Sequence, residues 1–118
     1  MAKLEEIAAA ALAGESLQVR ALVQEFLREH PQLAQIPQPQ SHDERILAVA
    51  AGFLELLAAR RQQSAPSWTG QIGAVAEPIF LVKAAQHMRR LRELCLAESP
   101  EPLRRRQLYA LPEYLDYA

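Results

Sequence analysis

Apolar residues recur at three- and four-residue intervals through most of this chain, and glycine or proline interrupts the pattern before any segment grows long. Such punctuation restricts the fold to several short helices. Each must bury its stripe against the others, because isolated helices of about 12–15 residues are marginal in water. Leu4, Ile7, Ala8, Ala11 and Leu12 predict a first helix over residues 3–13, and Gly14 supplies a left-handed stop. Ser16 is placed to cap a second helix, with Val19, Leu22, Val23, Phe26 and Leu27 inward and an end near His30, before Pro31. Pro31, Pro37 and Pro39 make residues 31–40 an extended connector.

Ser41-His42-Asp43-Glu44 matches a capping box and predicts that a third helix starts there. Ile46, Leu47, Val49, Ala50, Phe53, Leu54, Leu56 and Leu57 give that helix too broad an apolar face for one contact. It therefore belongs at the centre, with Arg60 and Arg61 at its negative C-terminal end. Trp68 begins a short segment that ends at Gly73. Pro78, as the first helical residue, predicts a fourth helix to about Ala97, with Ile79, Leu81, Val82, Ala85, Met88, Leu91, Leu94 and Cys95 on its buried side. Ser99-Pro100-Glu101-Pro102 stops it and opens a single turn, and another turn follows at Pro112–Tyr117. Leu108–Leu111 is the sole strand candidate, and one isolated strand leaves its backbone unsatisfied. The expectation is an all-α fold, a compact bundle of about four main helices plus short C-terminal turns.

Composition agrees: half of the 118 residues are apolar, only 6% are aromatic, and Ala, Leu, Glu, Gln and Arg, strong helix formers, predominate. The length predicts one domain, residues 1–118. No apolar run approaches the roughly 20 residues that span a bilayer. The opening Met1-Ala2-Lys3-Leu4-Glu5-Glu6 is unlike a signal peptide, so the expected location is cytoplasmic, without membrane contact. A lone Cys95 inside Leu94-Cys95-Leu96 predicts a buried, unreactive thiol in a reducing compartment.

Catalytic signatures are missing. The four glycines are scattered, and none precedes a Lys-Ser or Lys-Thr pair. His30, His42, His87 and Cys95 lack the spacing of a zinc site. Glu5–Glu6 and Asp43–Glu44 sit at helix starts, where the dipole favours negative charge. The reading is a non-enzyme without catalytic residues, metal or cofactor.

Binding features concentrate toward the other end. Residues 1–59 carry four Lys or Arg against eight Asp or Glu, whereas residues 60–118 carry nine against six. Arg89, Arg90 and Arg92 fall in the fourth helix, and Arg104, Arg105 and Arg106 precede a tail with Tyr109, Tyr114 and Tyr117. These nine residues form the candidate partner-binding set, because Arg and Tyr are common interface anchors. Ion pairing of the arginines with Glu93, Glu98, Glu101, Glu113 and Asp116 is the alternative. Residues 99–118 read as a Pro/Arg/Tyr-rich tail docked on the body or on a partner. The sequence pI near 6.3 weakens a nucleic-acid reading.

Pro66-Ser67-Trp68, Glu77-Pro78-Ile79-Phe80 and the ending Ser99-Pro-Glu-Pro-Leu-Arg-Arg-Arg106-Gln-Leu-Tyr-Ala-Leu-Pro-Glu-Tyr-Leu115 resemble an uncharacterised family of small helical bacterial proteins. Similar words occur at the ends of some helix-turn-helix regulators and antitoxin-like proteins. The resemblance implies a regulatory or toxin-neutralising role with a protein partner and carries over no catalytic residues. The expected function is a non-enzymatic protein-interaction module, regulatory or antitoxin-like, or one that self-associates. The alternative is a nucleic-acid-binding regulator using the arginine clusters, with salt-sensitive binding.

Overall fold

The computed structural model describes residues 3–116. Helix α1 (Leu4–Leu12) ends where Gly14 takes φ 74°, and Glu15 N–H reaches back to the Ala10 carbonyl at 3.0 Å. That is the left-handed stop expected of glycine. Helix α2 (Ser16–Glu29) starts at Ser16 without a side-chain cap, so the serine is its first helical residue and not its cap. The proline connector contains one 3-10 turn, Leu33–Gln35. It is fastened at three points: Gln63 Oε1 accepts from Leu33 N–H at 3.0 Å, Gln63 Nε2 donates to the Pro31 carbonyl at 3.1 Å, and Trp68 Nε1 donates to the Ile36 carbonyl at 2.8 Å.

Helix α3 (Glu44–Arg60) is central, packing on α1, on the 33–35 turn, on a 3-10 turn at Ser67–Gln71 and on helix α5 (Glu101–Arg104). Its cap is Asp43, two residues beyond the predicted serine. The Asp43 carboxylate accepts Arg45 N–H at 2.9 Å, while Ser41 Oγ accepts Asp43 N–H at 3.1 Å and so orients the cap. The backbone hydrogen bond from Arg45 lowers the pKa of Asp43 more than its partial desolvation raises it.

The predicted fourth helix forms only in its second half. Ile79–Phe80 is strand β1, paired in parallel with strand β2 (Leu108–Tyr109) in the register Ile79 to Leu108 and Phe80 to Tyr109. Ile79 N–H donates to the Gln107 carbonyl at 2.9 Å, and Leu81 N–H donates to Tyr109 at 2.8 Å. Those donors are claimed by a distant segment, so Pro78 does not open a helix. The isolated strand of the sequence reading has a partner after all. A 3-10 turn at Lys83–Gln86 follows, and helix α4 spans Arg89–Glu98. Ala85 and Cys95 are buried as expected, but Met88 and Leu94 are exposed.

Among the described residues the fold is thus a mostly α bundle of five helices with one two-residue strand pair. One continuous core runs from Leu4 and Ile7 through Val23, Phe26, Val49, Phe53 and Leu54 to Leu103, Leu108 and Leu115. Each fully buried large side chain contributes about 1.5–3 kcal/mol. No helix among the described residues is long and apolar enough to cross a membrane.

Candidate functional site

The C-terminal segment closes over the protein's own helices as far as it is described. Leu103, Leu108, Ala110 and Leu115 are buried, and the Tyr114 ring meets Phe53 edge-on at 5.7 Å. Arg60, at the end of α3, donates through Nη1 to the Tyr114 carbonyl and through Nη2 to the Pro112 carbonyl at 3.1 Å. The Ser99 hydroxyl accepts Ala110 N–H at 2.8 Å and lies 2.5 Å from the Cys95 carbonyl, joining the end of α4 to the end of β2. Tyr117 lies outside the described residues.

The six candidate arginines do not make one patch. Arg106 is only 2% exposed, so it is an internal residue and not a surface anchor. Its Nη1 donates to Glu55 Oε1 at 2.6 Å and to the Pro102 carbonyl at 2.8 Å, and its Nη2 donates to the Thr69 carbonyl at 2.7 Å. One guanidinium therefore joins α3, the 67–71 turn and α5. Arg105 also pairs with Glu55 and lies 3.6 Å from Glu101. Burial pushes the Glu55 carboxyl up, but hydrogen bonding and charge from Arg106, aided by Thr69 and Arg105, hold it below the usual carboxylate value.

Two further arginines are engaged by local carbonyls. Arg104 Nη1 donates to Ala97 in the last turn of α4 at 3.1 Å, where cations suit the helix dipole. Arg92 donates to Ala85 at 3.1 Å and to Gln86 at 2.6 Å. Its guanidinium lies 5.9 Å from the Phe80 ring centroid, and that ring pairs with Tyr109 at 5.6 Å. Arg89 forms an exposed i,i+4 pair with Glu93 at 3.1 Å. The Arg90 side chain has no hydrogen bond or ion pair among the described residues.

What remains open is α4 itself. Cys95 is its one buried residue, and burial, together with the charge of Glu113, raises its thiol pKa. Leu94 and Leu96 stand about 100° to either side of Cys95 around the helix. They are 40% and 43% exposed, and Met88, at the N-cap, is 56% exposed. The exposed apolar groups thus share an element with Arg89, Arg90 and Arg92, and Arg104 sits at its end.

Glu55 and Thr69 were not singled out from sequence, and Arg60 was read only as a cation at the end of its helix. Glu55 did carry a signal: it is the lone charge within the apolar run Ile46–Ala59. A charge so placed needs an internal partner. Elsewhere, a cleft of about 210 Å³ is lined by Leu4, Phe26, Ile36 and Pro37 with Lys3, Glu5 and His30. The His30 ring packs on Phe26 at 4.6 Å, and the cleft holds no Ser, Thr or Cys nucleophile. Among the described residues no three His, Cys, Asp or Glu side chains converge to hold a metal. No family model, curated protein or solved structure matches the chain.

Proposed function

We propose that this protein is a non-enzymatic interaction module, regulatory or antitoxin-like in kind, that receives a protein partner on helix α4. The observation that carries the reading is the exposure of Met88, Leu94 and Leu96 on a helix with a single buried residue. Exposed apolar side chains interspersed with arginine on one helix have the composition of a protein interface. The C-terminal tyrosines have less to offer, because the described tail is held by Arg60, Phe53 and the core. Nucleic-acid binding draws little support, since five of the six candidate arginines already face carbonyls or carboxylates of their own chain. The reading sets the module in the cytoplasm, where a lone buried thiol stays reduced.

The test is recovery of the tagged full-length chain from its native host, with and without nuclease, at low and high salt. A stoichiometric protein that survives nuclease and salt, and is lost from a Leu94→Asp/Leu96→Asp variant, is the expected result. Nuclease-sensitive recovery of nucleic acid, or a protein partner retained by the variant, overturns it.

A further inference from the structure

Helix α4 has two exposed flanks, and they differ in chemistry. On the Leu96 side, the arginines at 89 and 92 are engaged by Glu93 and by the Ala85 and Gln86 carbonyls. On the Leu94 side, the helical repeat places Arg90 one turn before Leu94 and Glu98 one turn after it, with half-buried Leu91 beside them. Both Arg90 and Glu98 are exposed, and neither side chain has a hydrogen bond or ion pair among the described residues.

This flank is complementary to itself. Two copies of α4 laid antiparallel about a two-fold axis through Leu94 bring Leu94 onto Leu94, Leu91 onto Ala97, and Arg90 of each copy onto Glu98 of the other. An isologous interface requires this relation, in which residue i meets j while j meets i. A purely acidic or basic partner would match only one of the two charges. From this juxtaposition we infer that the Leu94 flank of α4 pairs two copies of the chain, with Arg90 and Glu98 as two reciprocal ion pairs around a leucine contact. The inference rests on the reading of α4 as a docking helix and names a partner for one of its flanks.

A ten-residue helix is about 15 Å long, so the contact falls at the small end of specific interfaces, below about 1,200 Å². The dimer is therefore concentration-dependent, with a Kd on the order of tens of micromolar for so small an interface.

Sedimentation velocity of the full chain from about 5 to 500 µM, a range bracketing that Kd, reads the equilibrium. The expected result is a monomer–dimer transition that Arg90→Glu and Glu98→Arg each weaken by about tenfold. Symmetry makes every reversal act twice, replacing two attractions by two repulsions. The Arg90→Glu/Glu98→Arg double variant returns to within about threefold of the unmodified chain, because two attractive pairs are restored. Mixing the two single variants gives a heterodimer tighter than either homodimer, a signature that lost helix stability does not produce.

A chain that stays monomeric throughout, or a dimer indifferent to these reversals, overturns the inference. If self-pairing fails but Leu94→Asp/Leu96→Asp still loses a host protein, the docking reading of α4 stands without it. If that variant keeps every partner, both fail.

Discussion

Helices α3 and α4 use similar residue types and come to opposite ends. Helix α3 buries ten of its seventeen residues, from Ala48 to Ala58, whereas α4 buries only Cys95 among ten. Both contain leucine, alanine, glutamate and arginine, so helix propensity does not separate them. The width of the apolar face does. In α3 small and large apolar groups follow one another around the helix, so neighbours can approach from several sides. In α4 arginine or glutamate breaks up every apolar stretch except Leu94-Cys95-Leu96-Ala97, and one narrow stripe meets the body. Breadth of the stripe therefore sets whether a helix becomes scaffold or surface.

The contrast is tested most severely by the one charged cluster that α3 does bury. Arg106→Ala removes a guanidinium that serves Glu55, Thr69 and Pro102 together. The expected loss is about 3–5 kcal/mol, measured by urea unfolding, as for other buried pairs robbed of one partner. Arg90→Ala on α4 should stay within about 0.5 kcal/mol. A pH series sharpens the point. The folded state holds Glu55 below its ordinary pKa, so in acid the unfolded chain binds the extra proton first. The stabilisation is complete above about pH 4.3 and falls away as pH drops through the folded value. Unmodified protein should lose its advantage over Glu55→Gln across that acid range. An Arg106→Ala variant as stable as the parent would remove the cluster from the scaffold.

The next effect concerns how closely α3 is approached. A Cβ built on Gly52 would lie 2.8 Å from Leu103 Cδ2 and 3.4 Å from the Pro102 carbonyl oxygen. Leu103 is fully buried and has no room to retreat. Gly52→Ala should cost about 1–3 kcal/mol by overpacking, although alanine is the better helix former. A gain in thermal midpoint would show that α5 yields and is not fixed scaffold.

The same contrast governs what could be read from the chain. Helices α1, α2 and α3 were legible nearly to the residue, because apolar spacing, Gly14 and Pro31 are local signals. The predicted cap at Ser41 moved to Asp43, since two residues separated only by His42 each had a suitable oxygen and only backbone geometry chose between them. The failure at 78–88 was of another kind. Pro78 and the spacing from Ile79 to Cys95 satisfy every local rule for a helix, yet the donors of Ile79 and Leu81 bond to Gln107 and Tyr109 far along the chain. A tertiary pairing overrode a valid local preference. The different settings of arginines 104–106 were illegible for the same reason: identical residues in a row take three destinations, Ala97, Glu55 and the interior, set by what each meets after folding.

A small effect on stability most directly separates the two helices. Leu94→Asp/Leu96→Asp places two carboxylates where the parent exposes two leucines. Were α4 a second scaffold helix, burying these charges would cost several kcal/mol. As a peripheral helix it should lose no more than about 1 kcal/mol for both changes, since each lies on exposed surface. Cys95 between them reports locally: fully buried, with its thiol pKa raised, it should react with iodoacetamide slowly in parent and variant alike. Retained stability with a protected thiol, joined to loss of association, identifies Leu94 and Leu96 as groups kept at the surface for contact. Rapid labelling of Cys95 in the variant would instead mean that the flanking leucines hold α4 on the body, and the distinction between scaffold and surface helix would disappear.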